Sequence, residues 1–206
     1  MKLIDISPLI SPSIAVWPGD VAFSRDVALD MKSGDNLTLS ALTSTLHLGA
    51  HTDAPNHYVK EGEDIASRPL ERYYGPTQVI EARVNRGARI TPADLLSSVA
   101  APRVLLKTGT YPDPNHFNED FAALSPELVD HLAARGVELV GIDTPSVDLF
   151  ADKALLSHNA IARHDMSILE GIVLSHVPPG RYTLIALPLS LEGCDASPVR
   201  AALVAD

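Results

Sequence analysis

A mixed α/β fold, richer in strand than in helix and forming one domain over residues 1–206, is what the sequence predicts. Three observations lead there. Most apolar runs are short and bounded by proline, glycine or other turn residues, as strands and ordered loops are. Two helix starts carry a Thr or Ser cap followed at once by proline, at Thr91-Pro92 and Ser125-Pro126. Between them and beyond, RVLLKTG (103–109), a helical stretch and VELVGIDT (137–144) succeed one another, the pattern of a strand-helix-strand unit with parallel pairing. With 206 residues, 46% hydrophobic and 20% charged, the chain can bury a real core.

Taken in order, residues 2–6 read as a first strand and 12–20, PSIAVWPGD, as an extended segment closing in a Pro-Gly-Asp turn. Trp17 sits where that chain turns, so its ring either lines a pocket or covers the core, with nothing in its neighbours to choose between them. Residues 21–29 suit a strand, and Gly34-Asp35-Asn36 turns into LTLSALTSTLHL (37–48), a strand with His47 near its end. KEGEDIASRPLERYYG (60–75) is a polar loop with a short helical turn, and TQVIEARV (77–84) a strand. The cap at Thr91 predicts a helix with LLSSVA (95–100) as its body. After RVLLKTG comes a loop whose His116 reads as solvated surface. The helix ELVDHLAAR stops at Gly136, with His131 exposed on it. Asp143 and Thr144 fall at the carboxyl end of VELVGIDT, where parallel sheets gather ligands, although an Asx turn explains them as well. Residues 151–164 suit a helix, YTLIALPLSL (182–191) a late strand, and DASPVRAALVA (195–205) a last extended segment.

The chemistry concentrates in HLGAHTDAPNH (47–57), where His47, His51, Asp53 and His57 fall within eleven residues. Imidazole nitrogen with carboxylate oxygen suits zinc, manganese or iron better than calcium or magnesium. On a straight strand residues four apart are separated by roughly 13 Å, too far to share an ion bound at about 2 Å. The chain must therefore bend, and Gly49-Ala50 supplies the corner, while Pro55 holds Ala54 extended. Such a bend gathers His47, His51 and Asp53 around one ion and leaves His57 at the rim. The second oxygen of Asp53 can bridge to a second ion, about 3.5–4 Å away in such pairs. That ion needs ligands from elsewhere, and residues 158–170 offer them without chemistry alone choosing among His158, His164, Asp165 and Glu170.

Composition narrows the partners. A net charge of −10 with no Lys/Arg cluster argues against nucleic acid and anionic lipid. No stretch is long and apolar enough to span a bilayer, the first residues do not resemble a secretory signal, and the single Cys194 fits a reducing compartment. A cytoplasmic location is expected.

HLGAHTDAPNH resembles the signature of the metal-dependent cyclase family, and VWPGD (16–20), GIDTPSVD (141–148), LIALPL (184–189) and DASPVRA (195–201) resemble the strings of its formamidase branch. The resemblance implies a swivelling β/β/α fold, commonly homodimeric, and a pair of zinc ions, with manganese or another divalent transition metal as substitutes. It assigns His47, His51 and a bridging Asp53 to one ion, and His158 with a bridging Glu170 to complete the pair. It makes His57 the proton donor and acceptor and Trp17 a substrate contact. The activity implied is hydrolysis of N-formyl-L-kynurenine to L-kynurenine and formate, within tryptophan breakdown. Many members carry Thr where this chain has Ala50, a position that offers no ligand. The alternatives are a sister amide hydrolase such as isatin hydrolase, a non-catalytic metal-binding module, and a cysteine hydrolase on Cys194, whose EGCDASP context shows no adjacent histidine.

Overall fold

Parallel pairing appears where the strand-helix-strand pattern places it. A computed structural model describes residues 2–205. In chain order the elements are β1 (Lys2–Asp5), β2 (Ser24–Leu29), β3 (Leu39–Thr43), β4 (His51–Asp53), β5 (Tyr74–Glu81), β6 (Arg89–Ile90), β7 (Arg103–Lys107), β8 (Ala123–Leu124), α1 (Pro126–Ala133), β9 (Leu139–Ile142), α2 (Leu156–Arg163), β10 (Ser167–Leu169), β11 (Gly180–Ile185), β12 (Ala196–Pro198) and β13 (Ala202–Ala205). Seven of them form one sheet in the order β1-β13-β11-β5-β7-β9-β10. Its β5-β7-β9-β10 half is parallel and its β1-β13-β11-β5 half antiparallel.

The parallel half is buried on both faces, as crossover connections require. Alternate residues divide between two cores: Val104, Leu106, Val140 and Ile142 pack with Leu128 and Leu132 of α1 and Ile161 of α2. Leu105, Leu139 and Leu169 point the other way, toward Ala50, Ala54, Tyr73 and Leu184. That second face carries the bend and loop around Ala50 and Ala54, while α2, which bears His158, packs on the first. Truncating a fully buried leucine such as Leu105 to alanine is expected to cost about 2–5 kcal/mol.

Three sequence expectations change in the structure. Residues 95–100 are not helical: after a single 3-10 turn at Pro92–Asp94, the chain extends at Leu95. Asp94 is turned back onto the Thr91 N–H, Leu95 bridges Ala82, and the Gln78 side chain binds Ser98 O and Ala100 N, so the backbone is satisfied outside a helix. The strand expected through His47 ends at Thr43, because its partner β2 begins at Ser24 and the register closes there. The helix expected from 151 starts at Leu156, after Leu155 takes a left-handed φ of 50°. By contrast α1 is capped as its sequence predicts, with Ser125 Oγ accepting from Leu128 N at 3.0 Å, and Gly136 follows it at φ 75°. Among the described residues no helix is long and apolar enough to cross a membrane.

Candidate metal centre

The three-residue strand β4 is the hub of the site, and backbone pairing on both its sides brings in carboxylates from far along the chain. On one side His51 and Glu170 exchange backbone hydrogen bonds, His51 N to Glu170 O at 3.1 Å and Glu170 N to His51 O at 2.9 Å. On the other, β12 pairs antiparallel with Ala196 opposite Asp53, and Ala54 N donates to Asp195 O at 2.8 Å. The bend between His47 and His51 occurs at Gly49, whose φ is +57°, and Ala54 is extended before Pro55. Gly171 is needed for a separate reason: a Cβ there would lie 2.1 Å from Gly49 O, so only glycine lets the Glu170 segment reach the bend.

The side chains converge around Asp53. Its Oδ1 lies 3.1 Å from His47 Nδ1 and 3.5 Å from His51 Nε2, and its Oδ2 lies 3.5 Å from His158 Nε2. Glu170 straddles the same two sides, with Oε2 at 3.2 Å from His51 Nε2 and Oε1 at 3.9 Å from His158 Nε2. His51, Asp53, His158 and Glu170 are buried. Each histidine uses its outer nitrogen as a donor: His51 Nδ1 to Gly49 O at 2.9 Å, His158 Nδ1 to Asp148 Oδ2 at 2.8 Å and His47 Nε2 to Asp195 Oδ2 at 3.0 Å. A carbonyl can only accept, so His51 Nδ1 carries the hydrogen and Nε2 is the nitrogen turned toward the carboxylates. This carbonyl- or carboxylate-backed imidazole is how metal-bound histidines are oriented.

Whether these residues fit a cation is tested by what they leave unpaired. His51 Nε2, both carboxylate oxygens of Asp53 and His158 Nε2 are buried without a hydrogen-bond partner. A buried polar atom left so costs about 1–3 kcal/mol. Four such atoms facing one another fit a shared divalent ion. The protein alone compensates with protons. Burial opposes charge on His47 and His158, yet the facing carboxylates outweigh it and push them up to about 9 and about 10, Asp53 acting on both and Asp148 foremost on His158. Burial likewise opposes the charge of Asp53, and the histidines hold it well below the usual carboxylate range.

A comparison with known proteins decides the family. The Cyclase family model, described as "Putative cyclase", matches residues 4–149. The chain belongs to the Cyclase family. It is 44% identical over 204 residues to the protein named "Kynurenine formamidase" of Maricaulis maris (strain MCS10), covering 98% of this chain and 97% of that one. Among solved structures, a "predicted metal-dependent hydrolase" from Bacillus stearothermophilus is 28% identical with a TM-score of 0.82, over 98% and 97% of the two chains. Isatin hydrolase A from Labrenzia aggregata, solved with benzyl benzoate, shares the fold at a TM-score of 0.82 and 21% identity, over 100% and 94%.

In this family member the donor set suits a divalent metal, and a cavity of about 350 Å³ opens beside it, lined by His47 and His51 at one end and by Trp17, Tyr111 and Phe117 along its wall. Trp17 does both things its sequence left open: it lines that cavity and it packs on Phe150 at 5.1 Å and Phe117 at 5.5 Å between ring centroids. Lys107 and Asp143, neighbouring positions at the carboxyl ends of β7 and β9, also face the cavity. Asp143 is held by neutral donors, the N–H groups of Thr108 and Gly109 and Thr108 Oγ, and burial pushes its carboxyl up. His57 is at the rim, with a nitrogen within 4.8 Å of ligand atoms on Asp53 and His158.

Of the four candidates from 158–170, the structure brings His158 and Glu170 to Asp53 and sends the other two elsewhere. His164 pairs with Asp130 at 2.7 Å, and Asp165 with Arg68 at 2.9 Å and with Arg72. His116 is exposed and His131 half-exposed, neither among the groups that could hold an ion. Two acidic residues escaped the sequence reading: Asp148, which binds the N–H groups of Ser157 and His158 and the His158 ring, and Asp195. Asp148 lies in GIDTPSVD, noted only for its resemblance, and Asp195 in a string without histidine.

Proposed function

We propose that this chain hydrolyses N-formyl-L-kynurenine to L-kynurenine and formate, with two divalent ions, zinc in the first instance, held by His47, His51, Asp53, His158 and Glu170. One observation carries the reading: Asp53 and Glu170 each turn one oxygen toward the His51 side and the other toward His158, as two bridging carboxylates would. The 44% identity to a kynurenine formamidase supports the substrate. When bound, such a pair lowers the pKa of water toward about 7 and polarises a carbonyl.

The chain's own residues supply the rest. A formamide resists water because its nitrogen donates into the carbonyl, and its amine leaves only once protonated. Overall, water's oxygen joins the formyl carbon, the C–N bond breaks, and water's hydrogens end on the aryl nitrogen and in the medium. His57 is not needed as a ligand. With Nδ1 against Asp195 it has Nε2 free to take a proton and return it to that nitrogen. Trp17 and the aromatic wall suit a benzoyl ring by edge or offset contact. Lys107 Nζ donates to Ser175 O and Val177 O, which leaves one N–H for the carboxylate of an amino-acid substrate, and Asp143, anchored by Thr108 and Gly109, stands beside it for the ammonium. Isatin, a neutral bicycle, has no use for that pair.

Purified protein offered N-formylkynurenine and isatin side by side, with and without chelator, tests the reading. Metal-dependent release of the free arylamine from the first alone is expected. Preference for isatin, or turnover indifferent to chelator, would overturn it. We also propose a homodimer. Val27, Met31, Leu39 and Leu42 are exposed on the β2–β3 hairpin, and an isolated two-stranded ribbon is marginal in water, so a second copy suits it as cover. Sedimentation as a monomer at micromolar concentration would count against that.

A further inference from the structure

We infer that Asp195 is a positioning residue shared by the metal site and the proton carrier: one oxygen, Oδ2, accepts from His47 Nε2 at 3.0 Å and from His57 Nδ1 at 3.2 Å. This rests on the roles given above to His47 and His57. The two rings stand 4.3 Å apart between centroids and tilt by 44°, so a single acceptor atom reaches both. Asp195 is a firm point of attachment although its side chain is partly in solvent. Its carbonyl accepts from Ala54 N at 2.8 Å, the next residue starts the pairing with β4, and two residues before it Gly193 N donates to Asp64 Oδ2 at 2.6 Å. Ile65 N donates to Cys194 O at 3.0 Å, a second bond on that preceding side.

The consequence is a division of tautomers. A carboxylate accepts and cannot donate, so the bond to His57 Nδ1 places the hydrogen there and leaves Nε2 as the basic nitrogen. The same oxygen turns His47 so that Nδ1 faces Asp53. Without Asp195 the His57 ring is free to carry its hydrogen on Nε2, the form in which it cannot accept a proton at that atom. His47, His57 and Asp195 also lie close enough to hold an ion as a set. The hydrogen bonds already made by both rings to one oxygen favour the positioning role over a third metal.

The test is Asp195→Asn, with Asp195→Glu and His57→Ala beside it, all loaded with saturating zinc. Nitrogen-15 NMR of the histidine rings, at a pH where His57 is neutral, is expected to show hydrogen on Nδ1 of His57 in the parent and on Nε2 in D195N. Turnover of D195N should fall by about a hundredfold or more, inside the roughly 10²–10⁴-fold that acid-base catalysis contributes, with KM within about a factor of two. With zinc saturating, so that the His47 contact no longer limits occupancy, D195N/H57A should be no slower than H57A. Partial recovery in D195E marks the carboxylate as the active feature. An unchanged His57 tautomer in D195N, losses that multiply in the double variant, or parent-like turnover of D195N under saturating zinc would each overturn the proposal. The NMR readout needs no substrate, so it stands or falls apart from the identity of the amide.

Discussion

The floor and the rim of the site are built differently. His51, Asp53, His158 and Glu170 at the floor are 2–3% exposed, and four of their polar atoms meet no hydrogen-bond partner. At the rim, the side chains of His57 and Asp195 keep 34% and 44% of their surface in solvent and are already joined to each other. The floor leaves donor atoms that a cation would satisfy; the rim has its hydrogen bonds made within the protein and is open to solvent. The difference teaches that the two halves should fail separately.

The largest effect expected is at the floor. Asp53→Asn replaces the anion that faces both His51 and His158 by a neutral amide and should strip the metal and take turnover to background, checked by elemental analysis after gel filtration. Full metal occupancy would erase the distinction between floor and rim. Next, His57→Ala should keep its metal and lose roughly 10²–10⁴-fold in kcat; metal loss in this variant would move His57 to the floor. Smaller again is Asp148→Asn, which keeps all five proposed ligands but loosens His158, and should weaken metal binding by about 10–100-fold in a chelator competition. Smaller still, Lys107→Ala should raise KM for N-formylkynurenine by roughly tenfold, one charge-assisted contact, with kcat little changed.

The last prediction concerns pH. Without metal, His47 and His158 hold their protons up to about 9 and about 10, against 6.5 for an ordinary histidine. The folded form therefore binds protons that the unfolded form has released. Their contribution to stability is full below about 6.5 and is lost as pH rises toward 9 and 10. In chelator the melting temperature should fall across that window. With metal bound the rings are neutral ligands, so the fall should vanish and affinity should tighten with pH as protons are displaced. A metal-free protein equally stable at pH 7 and pH 10 would contradict the charged floor.

The local half of the site was legible because it is written in consecutive residues. The intervals of four, two and four residues between His47, His51, Asp53 and His57 can be tested against bond lengths, and the need for a bend pointed at Gly49, which takes a positive φ. Residue type could say that His158, His164, Asp165 and Glu170 were candidates and no more. Distance along the chain carries no information about which of them meets β4. The helix expected over 95–100 failed for a related reason: Thr91 and Asp94 do form the reciprocal cap, but a side chain from β5, Gln78, claims the backbone that a helix would have used.

Composition and periodicity were enough to point to a strand-rich α/β chain with a parallel unit at its centre and a nitrogen-oxygen donor cluster near residue 50 that suits a divalent cation, since hydrophobic spacing and donor chemistry are local properties. Which carboxylates stand beside the histidines of that cluster was decided by pairing across β4, where Glu170 arrives on one edge and Asp195 on the other. Backbone hydrogen bonds are blind to the side chains they carry, so residues 119 and 142 positions beyond His51 and Asp53 could be joined to them only once the strands had met.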